Sequence, residues 1–223
     1  MARARWWRGG GKRAFDLVAA AFLLVVMLPL ILVCAALVRA LDGSPVLFRQ
    51  IRVGRAARRF EIVKFRTMRA AAGELVTAAG DPRITRLGRW LRRTKLDELP
   101  QFWNVIRGEM SLVGPRPEIP TFVRAQGRSY RALAHLRPGM TDWASLAFRD
   151  EERLLAARAA ERDFYQQALL PRKLALARLY ACRMSFPIDL GILAATCCLV
   201  LGVDGGVPMI VGRRLIERAR DCL

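Results

Sequence analysis

The apolar positions of this chain fall into one very long run and several short periodic ones. Leu17 to Val38 is 22 residues without a charge. As a helix that is about 33 Å, enough to cross the hydrocarbon core of a bilayer. Pro29 sits near its middle and removes one helical hydrogen bond, so the pattern predicts a helix kinked or broken there. Val46 to Arg52 and Phe60 to Met68 alternate apolar and polar around Gly54 and predict a short β-hairpin. Ile84, Leu87 and Leu91 recur at helical spacing, which predicts an amphipathic helix over Arg83–Arg93. Leu99, Phe102, Trp103 and Ile106 form a second helical stripe, with Pro100 tolerated only in its first turn. Helical periods return over Asp150–Leu170 and Leu174–Met184. A last apolar stretch, Ile188 to Val203, carries only Asp189 and is short for a span; it reads as a buried or interfacial helix. Ser111 to Pro120 has three prolines and a glycine, and predicts a stiff extended loop presenting Arg116.

This pattern describes an α+β, mostly helical chain. Residues 1–42 make a basic N-terminus and a membrane-inserted helix, 43–185 a small catalytic domain containing the hairpin, and 186–223 an apolar helix with a basic tail. Basic residues flank the long apolar run on both sides: Lys12 and Arg13 before it, Arg39, Arg49, Arg52 and Arg55 after it. The positive-inside rule puts both flanks in the cytoplasm, so a helix broken at Pro29 enters and leaves by one face. A kinked single span is the alternative from hydropathy alone.

Charge narrows the partners. The 38 basic residues against 19 acidic give +19, almost all from arginine. Such a balance calls for an anionic partner, and the guanidinium fork suits phosphate. A 53% hydrophobic composition argues for a membrane surface over nucleic acid. Five cysteines without a C-x-x-C pair, and the single His135, argue against zinc; reduced buried thiols are the simple reading.

The chemistry concentrates in Asp81–Glu118. Asp97 and Glu98 stand at a helix start, where backbone N–H groups and the dipole favour negative charge. Around them lie Arg83, Arg86, Arg89, Arg92, Arg93, Lys95, Arg107 and Arg116. In the second strand Lys64, Arg66 and Thr67 form a polar set. A carboxylate pair, a helix N-terminus and many guanidiniums point to a phosphate ester as substrate. Helix capping and a solvated cationic face explain the same residues more plainly, and from spacing alone both readings stand.

Taken in order, several segments resemble the bacterial sugar transferase family, the monotopic polyprenyl-phosphate phosphoglycosyl transferases. They are KRAFD (Lys12–Asp16), SPVLFRQIRVG (Ser44–Gly54), KFRTM (Lys64–Met68), DPRITRLGRWLRRTKLDELPQFWNVIRGEMSLVGPRP (Asp81–Pro117) and RPGMTDWA (Arg137–Ala144). A weaker match follows at LLPRKLALARLY (Leu169–Tyr180) with Asp189. The resemblance implies transfer of a sugar-1-phosphate from a UDP-sugar to polyprenyl phosphate, with Mg²⁺, at the cytoplasmic face of the bacterial inner membrane. It implies Asp97 as nucleophile with Glu98 beside it. Pro115, Arg116 and Pro117 become the loop that contacts the donor, and Lys64 and Arg92 candidates for phosphate contacts. Mg²⁺ prefers one or two carboxylates plus phosphate oxygens, which places Asp97 at the metal. Cationic neighbours and the helix end are expected to keep Asp97 ionised.

The chain departs from the family pattern where Leu28 replaces a serine before the helix proline, and where Asp142 and Ser145 replace a glycine and a glutamine. If that glycine serves a positive φ, Asp142 adopts it at moderate cost. Membrane lipids, the UDP-sugar and polyprenyl phosphate are the expected partners, nucleic acid is not, and a homo-oligomer stays open. A membrane-tethered anion binder and a non-catalytic scaffold are the competing classes; neither needs Asp97.

Overall fold

The computed structural model describes residues 7–69, 77–158 and 163–203. Arg3 and Arg5, much of the loop before Gly80, and the basic tail from Arg213 to Arg220 lie outside these residues.

The long apolar run forms one helix, α1 (Lys12–Leu41). It stays helical through Pro29, where the sequence predicts a kink or a break. A proline removes a single hydrogen bond, so a helix can bend there without ending. Its most apolar window is only 11% buried, so this is not the core helix of a water-soluble domain. Val18, Phe22, Val25 and Leu32 are at least 60% exposed and form a bare hydrocarbon face.

The two ends of α1 are held by one domain. At the start, Lys12 Nζ meets Asp189 at 2.6 Å. Arg13 donates to the Val105 and Ile106 carbonyls at 2.7 and 3.1 Å. Asp16 accepts from Ser111 Oγ and Leu112 N. At the far end, Asp42 accepts from Thr85 Oγ1 at 2.8 Å, and Arg66 donates to the Asp42 and Ser44 carbonyls. The buried positions Asp16 and Ala20 belong to one end and Cys34 and Val38 to the other; none lies between them.

The hairpin forms as the alternation predicts. Strand β1 (Leu47–Val53) pairs antiparallel with β2 (Arg59–Phe65), and Phe48 faces Lys64. The amphipathic helix α2 (Arg86–Arg93) starts three residues later than expected, because Thr85 accepts the Gly88 N–H and caps it. Arg83 is left outside in a turn, bound to Asp81. Gly88 is obligatory: a Cβ there would lie 2.1 Å from the Thr67 carbonyl oxygen, so only glycine lets α2 press on the KFRTM segment.

A 3₁₀ turn (Leu96–Gln101) leads into α3 (Phe102–Ile106). Here Phe102 and Val105 are buried and Trp103 is 52% exposed, so the apolar stripe is rotated from the one the sequence suggests. Past α3, β3 (Ser111–Val113) pairs in parallel with β4 (Gly139–Thr141). Between them run α4 (Pro120–Ala125) and α5 (Gly127–Leu133), and after them α6 (Trp143–Ala147) and α7 (Glu151–Ala157). Then come α8 (Leu170–Arg183), with Pro171 in its first turn, and α9 (Phe186–Val200).

The main core joins Phe60 and Ile62 of the hairpin, Phe102 and Val105 of α3, Leu112 and Val113 of β3, Trp143, Tyr180 and Ile192. Asp189, fully buried on α9, ties this core to α1 by accepting from Trp7 Nε1, Lys12 Nζ and the Tyr180 hydroxyl. The rest of α9 is half bare: Phe186, Leu190 and Val200 are exposed, and so are Cys197 and Cys198, which the sequence suggests are buried. An apolar stretch of this length packs only one side on the protein and leaves the other as hydrocarbon surface.

Candidate active site

Three segments converge on the Asp97–Glu98 pair. The first is α2, whose chain reverses at Lys95, two residues past its end. Lys95 adopts a left-handed conformation (φ 58°), the usual way to stop a helix and reverse the chain, though glycine does it at lower cost. The reversal swings Asp97 and Glu98 into the first turn of the 3₁₀ segment.

The second is β2, held by a side chain that the sequence does not advertise. Asn104 on α3 is buried; its Oδ1 accepts the Val63 N–H at 3.1 Å and its Nδ2 donates to the Glu61 carbonyl at 2.7 Å. It occupies the free edge of β2 as a neighbouring strand would. The residue after Val63 is Lys64, so this clamp fixes where its ammonium goes. Lys64 Nζ lies 2.7 Å from Glu98 Oε1.

The third is the Pro115–Pro117 loop. Gly114 and Gly139 approach so closely that a Cβ on Gly139 would lie 2.1 Å from the Gly114 nitrogen. The loop is bound to the β4 strand through Gly114 N to Thr141 O and Gly139 N to Pro115 O. It delivers Arg116, whose Nη2 lies 3.1 Å from the same Glu98 Oε1.

The result is one carboxylate between two cations, beside a second carboxylate held by neither. Burial alone would raise Glu98, but Lys64, Arg116 and Lys95 overcome it and hold its carboxyl well below the usual range. Arg116 is correspondingly pushed above its already high value, chiefly by Glu98. Lys64 moves down, since burial costs it more than Glu98 returns. Asp97 goes the opposite way from the expectation. It is 7% exposed, and desolvation raises its affinity for a proton more than Lys64, Lys95 and Arg92 lower it, with Glu98 adding to the rise. Its Oδ1 is buried with no hydrogen-bond partner among the described residues. Two adjacent carboxylates are thus driven apart, one firmly ionised and one basic.

The remaining residues of the predicted site have partners within the protein. Arg66 closes the C-terminus of α1 and Arg83 is paired with Asp81, as described. Thr67 is buried beneath α2, its carbonyl accepting from Thr85 N. Arg92 lies close enough to act on the charge of Asp97, but its hydrogen bonds go to Glu152, a partner sixty residues away, and to the Met68 sulfur. Asp142 is extended (φ −160°), so no positive φ is at stake. It N-caps α6, accepting the Ser145 N–H at 2.7 Å.

No cluster of three metal-ligating side chains occurs among the described residues. A magnesium ion needs fewer when substrate phosphate supplies the rest. The unpartnered Asp97 Oδ1 fits that role; Glu98 is already committed to its two cations. Behind Arg116 lies a cavity of about 130 Å³. Its walls are largely apolar, from Val53, Leu133, Leu170 and Leu174, and the Tyr130 hydroxyl there is buried without a hydrogen-bond partner among the described residues.

Residues 7–203 match the family model described as bacterial sugar transferase. The chain belongs to that family. Among curated relatives, it is 45% identical over 146 residues to an undecaprenyl-phosphate glucose phosphotransferase of Komagataeibacter xylinus, covering 60% of this chain and 27% of that one. It is 44% identical over 141 residues to a UDP-glucose:undecaprenyl-phosphate glucose-1-phosphate transferase of Caulobacter vibrioides, 60% of this chain and 53% of the relative. A UDP-N-acetylgalactosamine-undecaprenyl-phosphate N-acetylgalactosaminephosphotransferase of Aeromonas hydrophila is 40% identical over 167 residues, 69% and 38% of the two chains. The chain therefore spans roughly a quarter to a half of the length of these relatives.

Proposed function

We propose that this chain transfers a sugar-1-phosphate from a UDP-sugar to polyprenyl phosphate, releasing UMP, as a first membrane step in making a bacterial glycan. The observation that carries the proposal is the split carboxylate pair: a basic, unpartnered Asp97 beside a Glu98 locked between Lys64 and Arg116. A capping pair would have both carboxylates satisfied by backbone. A pure anion binder would have no use for a buried carboxylate without a partner, which costs stability.

The proposed chemistry uses that geometry. One Asp97 oxygen attacks the sugar-bearing phosphorus of the donor. The bond from that phosphorus to the bridging oxygen breaks, the oxygen leaves with UMP, and an acyl-phosphate forms on Asp97. A polyprenyl phosphate oxygen then attacks the same phosphorus and frees the Asp97 carboxylate, giving polyprenyl-diphospho-sugar. Lys64 and Arg116 are placed for the charge that builds on the phosphoryl oxygens. Glu98 holds them in position and stays ionised throughout. Mg²⁺, held by Asp97 and donor phosphate, would supply further neutralisation of the diphosphate. The cavity behind Arg116 suits the nucleotide end of the donor, with apolar walls for a base and the Tyr130 hydroxyl for one of its carbonyl oxygens.

The membrane arrangement is part of the proposal. A spanning α1 would set Lys12 and Leu41 on opposite sides of a hydrocarbon core about 30 Å thick. One domain could not then bind both ends. Docking of both on the same domain supports an α1 that enters and returns by the cytoplasmic face of the inner membrane, with its bare face and that of α9 in lipid.

The test is nucleotide release. Purified protein in lipid discs containing polyprenyl phosphate and Mg²⁺ is incubated with a panel of UDP-sugars. UMP release with at least one of them is expected, and without the acceptor a sugar-phosphate adduct on the peptide containing Asp97. No UMP from any donor would overturn the assignment. UMP release only when both substrates are present, with no adduct, would replace the covalent route by direct transfer.

A further inference from the structure

The Pro115–Pro117 loop is strapped to the strand beside it by backbone hydrogen bonds, Gly114 N to Thr141 O and Gly139 N to Pro115 O. Both partners belong to the parallel β3–β4 pair or its immediate continuation. The next rung is not backbone. Arg116 N–H donates to Asp142 Oδ2 at 3.3 Å, while Asp142 Oδ1 takes the Ser145 N–H. Asp142 is 4% exposed, so neither bond competes with bulk water. One carboxylate thus uses one oxygen to start α6 and the other to hold the peptide from which Arg116 projects. Arg116 in turn reaches Glu98 Oε1, the oxygen that Lys64 also holds. The nearby negative charge of Asp142 also adds to the rise in Arg116's proton affinity.

We infer that Asp142 is a positioning residue for donor binding: it fixes the backbone of Arg116 and so aims its guanidinium at the donor's diphosphate. A glycine at this place could offer neither bond, so the strap comes with the carboxylate. The inference rests on the function proposed above.

Replacement by asparagine separates the two jobs. The amide keeps a single acceptor oxygen, which can still cap Ser145, and turns its NH₂ toward the Arg116 N–H, donor against donor. Asp142→Ser makes the same separation differently, since a serine caps a helix well but is too short to reach Arg116 as well. Asp142→Ala loses both. The measurements are thermal midpoint, UDP affinity by titration calorimetry, and kcat and KM for each substrate. Asp142→Asn and Asp142→Ser are expected to hold the thermal midpoint near the native value. UDP affinity should fall and KM for the UDP-sugar rise about tenfold, the worth of one hydrogen bond at a charged group. KM for polyprenyl phosphate and kcat should change less than twofold. Asp142→Ala should add a clear loss of thermal midpoint. Native UDP affinity in both Asp142→Asn and Asp142→Ser would overturn the inference, as would a loss shared equally by the two substrates. If the native protein binds UDP, the two variants bind it weakly, and no UDP-sugar is turned over, the proposed reaction falls while the role of Asp142 in nucleotide binding stands. If the native protein does not bind UDP, both fall.

Discussion

Asp97 and Glu98 are neighbours in sequence, equal in charge and carried on one turn, yet neutralising them should move stability in opposite directions. Glu98→Gln leaves Lys64 and Arg116 facing an amide. Both cations point at one carboxylate oxygen, at 2.7 and 3.1 Å, and the amide keeps an acceptor there but no charge to balance them. Removing one partner of a buried pair costs about 3–5 kcal/mol. Arg116 is 34% exposed and Lys64 17%, so solvent recovers part of this, leaving about 2–3 kcal/mol. For a chain of this length that lowers the thermal midpoint by about 5–10 °C. Asp97→Asn removes a carboxylate whose Oδ1 has no partner. Its raised pKa means that ionisation costs folding free energy: the native state takes up a proton more readily than the unfolded one. Stability therefore falls as pH rises through the window between the unfolded and folded values, and stays lower above it. Deleting that charge should raise the midpoint at pH 7.5, by about 1 kcal/mol or 2–4 °C on the usual scale of such relief. Turnover should nonetheless collapse in Asp97→Asn, because the attacking oxygen is gone. The assay is tryptophan-fluorescence melting of both variants and the native protein in lipid discs, from pH 7.5 down to 5. The native protein should close on Asp97→Asn as the pH falls and Asp97 takes up its proton. A drop of similar size in both variants would refute the reasoning, because it would make Asp97 another structural anion.

Other outcomes follow from the same contacts. The acid limb of the rate should lie above the ordinary carboxylate range, with the rate falling as pH drops through the raised pKa of Asp97; a limb at or below pH 4 in the initial-rate profile would contradict the burial argument. Arg116→Lys keeps the charge but loses the fork, and should raise KM for the UDP-sugar with little change for polyprenyl phosphate; equal losses would mark a folding role. Tyr130→Phe deletes a hydroxyl that no described group hydrogen-bonds, so melting should be unchanged while KM for the donor rises about fivefold, as one neutral hydrogen bond predicts. Cysteines placed at Lys12 and Asp42 report the topology: an impermeant thiol reagent applied from the periplasm should label neither, and labelling of one alone would restore the spanning helix.

Much of this was legible locally. A charge-free run of 22 residues, an alternation around Gly54 and an acidic pair after a basic helix are short-range signals, and each yields its element. The prolines around Arg116 gave the stiff loop because proline restricts the backbone wherever it stands. What was not legible depends on distant partners. Asn104 reads as an ordinary polar residue on a helix until β2, 41 residues earlier, lies against it. Asp189 is the lone charge of an apolar stretch, a faint signal of its role as partner to Trp7 and Lys12. The protein partners of Arg66 and Arg92 are hidden for the same reason: arginine in a basic chain serves helix ends and ion pairs as readily as phosphate. The charge state of Asp97 depends on burial, which no spacing reveals.

The docking of α1 at both ends also carries a consequence for biogenesis. The helix leaves the ribosome long before the residues that hold it. Arg13 waits 92 residues for Val105, and Lys12 waits 177 for Asp189. Until then nothing in the finished domain opposes a full crossing, and the apolar run is long enough to make one. On the proposed re-entrant arrangement, the topology of this chain would be decided late in synthesis, when the domain closes over both ends of a helix already in lipid.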